Sequence, residues 1–170
     1  MLQRKIFEKI VSGGQTGADQ GALDAALELS YPCGGWCPKG RKSESGPIPA
    51  KYPLQEHSSI DYKVRTEANV IDSDGTLIFY YSEPGGGTAL TIKLAQKHGR
   101  PYYLFDLDNH ALNQDPEIIW EWGLDNNVYV LNVAGPRESK YPGTQVLVKT
   151  VMLMLLEHAK KCYPVVEEKK

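Results

Sequence analysis

Three short apolar runs of the chain each end in a glycine-rich turn. The runs cover residues 9–12, 76–81 and 128–133, and glycines follow them at positions 13–14, 85–87 and 135. Parallel strands of an α/β sheet present their carboxyl ends at one edge, and ligands bind beyond that edge. We therefore expect the three glycine turns to converge on one binding site.

The segments between these turns alternate between helical and strand-like patterns. Five segments are predicted to be helical: residues 18–29, 61–72, 88–98, 117–124 and 144–161. Residues 102–105 predict a further strand. This alternation indicates βαβ units and a mainly parallel sheet. We expect residues 1–170 to form one α/β domain, a three-layer Rossmann-like domain with helices on both faces of the sheet.

Residues 31–56 interrupt this rhythm. The segment is rich in proline and glycine and shows little periodicity. A loop of this length inside a small domain is usually functional or disordered. It also contains Tyr31, Trp36 and Tyr52, and large aromatic side chains favour an ordered, packed loop. We expect it to contribute to function.

Composition and charge exclude several classes of partner. The 19 Lys and Arg residues against 21 Asp and Glu residues give a net charge of −2, whereas nucleic-acid binding needs a basic excess or stripe. No stretch is long and apolar enough to span a bilayer, and residues 1–5 do not open a secretory signal. Three cysteines, an odd number, argue against a disulfide scaffold. We expect a cytoplasmic protein without nucleic-acid or membrane partners.

The glycine turns have the chemistry of a phosphate site. Glycine lets the backbone approach an anion closely, and the helix that follows presents unpaired N–H groups and the positive end of its dipole. Thr16 and Thr88 could add hydroxyl groups, and Arg137 could add a guanidinium fork. A tight strand-to-helix turn explains any single glycine loop equally well. Three such loops in one small domain favour binding of a phosphate-bearing ligand.

Neither of the first two loops is a standard nucleotide motif. The first loop, residues 13–17, lacks the third glycine of G-x-G-x-x-G, and neither loop carries the lysine of a P-loop. However, residues 84–88, Pro-Gly-Gly-Gly-Thr, follow an apolar strand. They resemble the P-G-G-x-G-T motif of the lonely-guy phosphoribohydrolases and their lysine-decarboxylase-like relatives. Residues 128–140 are similar to a segment that comes first in those relatives, so their order looks like a circular permutation.

The combination of motifs is similar to the family named putative molybdenum-cofactor carrier proteins, over roughly residues 10–156. The most specific segments are residues 12–19, 37–41, 65–69, 72–76 and 134–139. This resemblance implies a Rossmann-like fold and a carrier that holds the molybdenum cofactor, molybdopterin. From the residues alone, a nucleotide is an equally open ligand.

The hydrolase relatives have a catalytic glutamate shortly after the threonine of their motif. Here Thr88 is followed by Ala89, Leu90, Thr91 and Ile92, so no carboxylate is present to activate water. This difference favours binding over turnover. Two alternatives stay open, namely a phosphoribohydrolase-like enzyme that uses Glu44, Glu67 or Asp74 instead, and a nucleotide sensor.

We predict a ligand site without catalytic residues and without a structural metal. Cys33 and Cys37 lack the second ligand pair of a zinc site. The candidate ligand-binding residues are Gly13, Gly14, Gln15, Thr16, Gly17, Asp19, Arg41, Arg65, Gly85, Gly86, Gly87, Thr88, Gly135 and Arg137.

The last predicted helix suggests self-association. Residues 146–156 are apolar on nearly every side, with Lys149 and Thr150 as polar breaks. An outer helix of a three-layer domain usually keeps one side in water, so the surplus apolar surface requires a partner. We expect a homodimer or tetramer with Met152, Leu155 or Leu156 near the contact. A neighbouring helix of the same domain is the alternative.

Overall fold

The computed structural model describes residues 4–109 and 115–163. Its strands are β1 (Lys9–Val11), β2 (Cys33–Gly34), β3 (Trp36–Cys37), β4 (Lys42–Ser43), β5 (Gly46–Pro47), β6 (Gln55–Glu56), β7 (Gly75–Tyr80), β8 (Tyr102–Asp106) and β9 (Val130–Ala134). Its helices are α1 (Ala18–Glu28), α2 (Tyr62–Ile71), α3 (Gly86–Lys97), α4 (Asp115–Asp125) and α5 (Thr144–Cys162), and Lys39–Arg41 form a short 3₁₀ helix.

Five strands form one parallel sheet in the order β2-β1-β9-β7-β8. The central strand, β9, pairs with β1 at Ile10–Leu131 and with β7 at Leu77–Val133. Residues 76–79 of β7 are continuously buried, as expected for a parallel strand covered on both faces. The prediction of a mainly parallel α/β sheet is confirmed.

Two groups of helices cover the sheet. Leu77 and Phe79 belong to a core cluster with buried residues of α1, α4 and α5. Val70 of α2 packs with Leu94 of α3 in a separate cluster, and α3 also contacts β7. Because alternate residues of a strand face opposite sides, these two groups form the outer layers of a three-layer fold.

Helices α1 and α5 approach each other closely at Gly21. A Cβ added to Gly21 would lie 2.5 Å from the carbonyl oxygen of Gln145, so a larger residue would push the helices apart. The buried alanines of α1, such as Ala22 and Ala25, keep this contact short. The small side chains therefore fix the position of α1, whose first turn borders the glycine loop that follows β1.

The contact between α1 and α5 also corrects the expectation for self-association. Met152, Leu155 and Leu156 are fully buried within the single chain, in the same core cluster as residues of α1 and α4. They cannot lie at a contact with a second copy without unpacking this core. The neighbouring helices of the same domain provide the burial that the apolar pattern requires, and the state of association stays a prediction.

The loop after α1 is ordered by a buried apolar cluster, in which Ile48 and Tyr52 pack on Leu23 of α1, and by polar contacts. The Arg41 guanidinium donates hydrogen bonds to the carbonyl oxygens of Ile48, Pro49 and Tyr52 at 2.8–3.0 Å. Two small sheets, β3-β6 and β4-β5, lie in the same segment. The expected order is therefore present, although β2 to β6 are two residues each and leave no periodic pattern to recognise.

Most predicted boundaries shift by one or two residues in the structure. Helix α3 begins at Gly86 instead of residue 88, so two of the three adjacent glycines form its first turn. Strand β9 ends at Ala134, one residue beyond the predicted run. In residues 4–109 and 115–163, every helix is too short or too polar to cross a membrane.

Candidate ligand-binding site

A cavity of about 270 Å³ lies at the carboxyl edge of the sheet, between the loops that follow β1, β7 and β9. Ligand sites of α/β proteins occur at such edges, and small-molecule pockets start at about this size. Ten of the candidate residues line the cavity: Gly13, Gln15, Asp19, Arg65, Gly85, Gly86, Gly87, Thr88, Gly135 and Arg137. The predicted convergence of the three loops is thus present.

The wall formed by residues 85–88 is open. Helix α3 has Gly85 as its N-cap and no side-chain cap, although the first N–H groups of a helix lack partners within the helix. A Cβ added to Gly86 or Gly87 would meet nothing within 4 Å. Gly86 has a φ of +54°, which favours glycine. Gly87 is different: neither its backbone nor a protein neighbour requires glycine there.

The opposite wall is closely packed around Arg65. A Cβ added to Gly13 would lie 2.1 Å from Arg65 Nη1, so the guanidinium can occupy its place only because residue 13 is glycine. Arg65 Nη1 lies 3.5 Å from Asp19 Oδ2, and both side chains are almost buried. Burial raises the pKa of Asp19, while the positive charge of Arg65 and the N–H of Gln15 partly offset this effect.

Two donors in this wall have no acceptor among residues 4–109 and 115–163. Gln15 Oε1 accepts hydrogen bonds from the backbone N–H groups of Thr16 and Glu44, both at 3.0 Å. These bonds fix the orientation of the amide, and Gln15 Nε2 is then buried without a partner. Arg65 Nε is also buried without a partner. Unsatisfied buried donors are rare in folded proteins and need an explanation, which a ligand acceptor would supply.

Four candidate residues do not line this cavity: Gly14, Thr16, Gly17 and Arg41. A Cβ at Gly14 would lie 2.4 Å from Leu54 Cδ1, so this glycine is explained by packing on the long loop. Arg41 is bound to that loop's carbonyl groups, as described above.

The start of α1 is covered by the loop after β9. The N–H of Ala18 donates to the carbonyl oxygen of Pro136 at 3.0 Å, and a Cβ at Gly17 would lie 2.3 Å from the same oxygen. The Thr16 hydroxyl accepts from the N–H of Glu138 at 3.2 Å and donates to Glu44. Helix α3, and not α1, therefore presents its start to the cavity.

The three carboxylates considered as catalytic replacements lie outside the cavity lining. Glu67 bonds Lys97 and His98, and these bonds lower its pKa to about 2. Asp74 accepts the N–H groups of Tyr129 and Val130. Burial opposes ionisation of Glu44, but hydrogen bonds from Ser139 and Thr16 outweigh it and lower its pKa. Each carboxylate already has structural partners.

The sequence analysis missed several residues of the lining, among them Tyr62, Tyr80, Tyr81, Glu83, Lys140 and Tyr141. The rings of Tyr81 and Tyr141 stack with their centroids 4.4 Å apart. Tyr80 and Tyr81 stand at the end of β7, so their position beside a glycine loop was a usable signal. Tyr62 offered none, because its place depends on how α2 packs.

Residues 4–109 and 115–163 contain no group of three His, Cys, Asp or Glu side chains able to hold a metal ion. Within these ranges Cys33, Cys37 and Cys162 are free thiols. Burial raises the pKa of both Cys33 and Cys37, which disfavours the thiolate form that binds metals.

Comparison with known proteins agrees with this fold. The chain matches none of the curated proteins. It is similar to the crystal structure of a protein from Syntrophus aciditrophicus SB named "Putative molybdenum carrier protein", with 42% sequence identity and a TM-score of 0.86. The similarity covers 91% of this chain and 98% of the other. Residues 10–156 match the circularly permutated YpsA SLOG family, cpYpsA. The chain therefore belongs to the circularly permutated YpsA SLOG family.

Proposed function

We propose that this chain is a carrier that binds a phosphate-bearing heterocyclic ligand in the cavity and holds it without consuming it. The name of the Syntrophus protein, together with 42% identity, supports the molybdenum cofactor as the ligand. A nucleotide is the alternative occupant of the same site.

The observation that carries the proposal is the open space at Gly87. All sixteen glycines of the chain lie in the described residues. Among them Gly87 alone combines an ordinary backbone conformation with no neighbour within 4 Å of an added Cβ. No residue in the ranges 4–109 and 115–163 requires glycine at this position, whereas a phosphate against the first turn of α3 would require it.

The remaining walls suit the rest of such a ligand. Gln15 Nε2 and Arg65 Nε are donors that await acceptors, and Asp19 offers a carboxylate in the same wall. These groups match the mixed donors and acceptors of a pterin or purine edge. The molybdenum cofactor would therefore be held by its phosphate at residues 85–88 and by its heterocycle near Gln15 and Asp19.

The hydrolase alternative gains no support from the carboxylates, because Glu44, Glu67 and Asp74 are committed to structural contacts. A carrier needs affinity and protection from solvent, and the cavity offers charged and polar walls for that purpose.

Gly87→Ala tests the proposal. The added methyl group meets open space, and alanine favours a helix over glycine by about 1 kcal/mol. We therefore expect the free energy of unfolding in urea to stay equal or rise. The methyl group would block the approach of phosphate, so retention of phosphate-bearing molecules should fall at least about tenfold. Mass spectrometry of small molecules that remain with the gently purified protein measures this loss.

Gly34→Ala is the matched control. Its added Cβ would make only ordinary contacts, 3.5 Å from Lys9 and Pro53, and Gly34 is not among the residues that line the cavity. We expect this variant to retain ligand like the wild type. Equal retention by Gly87→Ala and the wild type would refute the phosphate site on α3.

A further inference from the structure

Three cations from three separate segments surround the ring of Tyr62. Lys42 Nζ lies 4.9 Å from the ring centroid, and the guanidinium carbons of Arg65 and Arg137 each lie 5.6 Å from it. Tyr62, Arg65 and Arg137 line the cavity. Because each cation lies no more than 5.6 Å from the same ring centroid, the three charges lie within about 11 Å of one another and repel. Added negative charge at this place would therefore be stabilised.

The protein supplies only part of that charge. Asp19 lies 3.5 Å from Arg65 Nη1. Glu44 Oε2 is 4.0 Å from Arg137 Nε, and the Glu44 carboxylate already accepts hydrogen bonds from Ser139. Arg65 Nε is buried and has no acceptor. The wall at Tyr62 thus retains donor capacity for an anion that the chain does not provide.

A different cation serves the glycine wall. Lys140 Nζ lies 3.7 Å from the position of a Cβ on Gly85, beside the start of α3. Lys140 and Arg137 belong to the same loop after β9, yet one lies at the glycine wall and the other at the Tyr62 wall. The cavity therefore has two positively charged regions, one beside the start of α3 and one beside Tyr62 of α2.

We propose that the ligand carries two separate anionic groups. The first binds at residues 85–88 with Lys140, and the second binds at Arg65 and Arg137 beside Tyr62. This inference rests on the proposed function, and it narrows the ligand to heterocyclic phosphates with a second anionic group, such as nucleoside bisphosphates. A ligand with one phosphate fills only one region and binds weakly.

Calorimetric titration with two probes tests the proposal. Adenosine 5′-monophosphate and adenosine 3′,5′-bisphosphate share the base and differ by one anionic group. A second charge-assisted contact is worth about tenfold in affinity or more. We expect the wild type to bind the bisphosphate at least about tenfold more tightly than the monophosphate.

Two variants separate the regions. Arg137→Gln should reduce this ratio of affinities to about threefold or less, because it weakens the region that only the bisphosphate fills. Lys140→Gln should weaken both probes by similar factors and preserve the ratio. Lys51→Gln removes an exposed cation that does not line the cavity and should change neither affinity. Unfolding in urea verifies that each variant is folded.

The contrary results are distinct. Equal affinity of the wild type for both probes, or an unchanged ratio in Arg137→Gln, would overturn the second anion region and leave the proposed function standing. Failure of the wild type to bind either probe or inorganic phosphate would overturn both proposals.

Discussion

The Asp19 carboxylate shows how one residue depends on contacts that its own segment does not reveal. It lies at the start of α1, accepts the N–H of Gln15 at 3.1 Å and faces Arg65 of α2. The sequence placed Asp19 and Arg65 in the same site but not in contact. Their pairing follows from the absence of a side chain at Gly13, which only the folded structure relates to Arg65.

The raised pKa of Asp19 predicts a pH dependence of stability. In the unfolded chain this carboxyl group ionises near its ordinary pKa of 3.8, whereas in the folded protein it ionises at higher pH. Between these two pKa values the folded protein binds more protons than the unfolded chain does. The contribution of Asp19 to the free energy of unfolding therefore falls as pH rises through this window, and it is constant above the window. Asp19→Asn has no titratable carboxyl group at this position, so the variant lacks this pH-dependent contribution.

Urea unfolding of the wild type and Asp19→Asn at several pH values measures the effect. The free energy of unfolding of the wild type minus that of the variant should decrease as pH rises from about 4. A difference that is constant or increases over this range would contradict the prediction. Subtraction of the two proteins cancels the other carboxyl groups, which titrate alike in both.

Single glycines show a limit of prediction from sequence. The sequence analysis gave the same role to the glycines at 13, 14 and 17 and at 85–87. A glycine in the sequence shows only that the residue has no Cβ, not what fills the space. The structure shows what occupies the space: Arg65 at Gly13, Leu54 at Gly14, and nothing at Gly87. Only a glycine with unoccupied space at its Cβ position, such as Gly87, directly favours a bound ligand.

Helix α5 shows a similar limit of prediction from sequence for a whole helix. Its length and apolar character were readable from the sequence, but its burial depended on α1 and α4, whose positions were unknown. Leu155 is fully buried, whereas Val146 on the same helix is 71% exposed. The apolar pattern correctly predicted that this helix is buried. The expected partner was a second copy of the chain, whereas the structure buries the helix against α1 and α4.

Leu155→Ala should lower the free energy of unfolding by about 2–5 kcal/mol, because it leaves a cavity in the core. Val146→Ala should change it by about 0.5 kcal/mol or less. Both differences should be independent of protein concentration, since the contact lies within one chain. Urea unfolding at two concentrations, with sedimentation to follow association, tests this. A loss for Leu155→Ala that grows on dilution would instead place this residue at a contact between copies.

Longer elements were easier to predict than short ones. Helices α1, α2, α3 and α5 have enough residues for a helical pattern to appear, and strands β7 and β8 have enough for a recognisable apolar run. Strand β2 has two residues, in a segment rich in proline and glycine. Its place at the edge of the sheet depends on pairing with β1, at Ile10–Cys33 and Val11–Gly34, which local sequence does not encode.

For the whole molecule, the site predicts binding without turnover. Within residues 4–109 and 115–163, two carboxylates line the cavity: Asp19, which is paired with Arg65, and Glu83, in the loop between β7 and α3. Neither follows Thr88, where the related hydrolases carry their catalytic glutamate. We expect nucleoside 5′-monophosphates not to be hydrolysed to base and ribose phosphate. Chromatography of a prolonged incubation measures the products. Turnover at about 1 per second or faster, the ordinary range of enzymes, would refute the carrier proposal.

The central position of β9 has a consequence for how the chain folds. Strand β9 is the last strand of the sheet in chain order, yet it separates the pair β1-β2 from the pair β7-β8. Until residues 130–134 have been synthesised, the two pairs have no shared hydrogen-bonded neighbour. The sheet is therefore completed by insertion of its middle strand, and pairing of Lys9 with Val130 closes a long stretch of chain. Such non-local pairing slows folding, and the three loops of the cavity can converge only once β9 lies between β1 and β7.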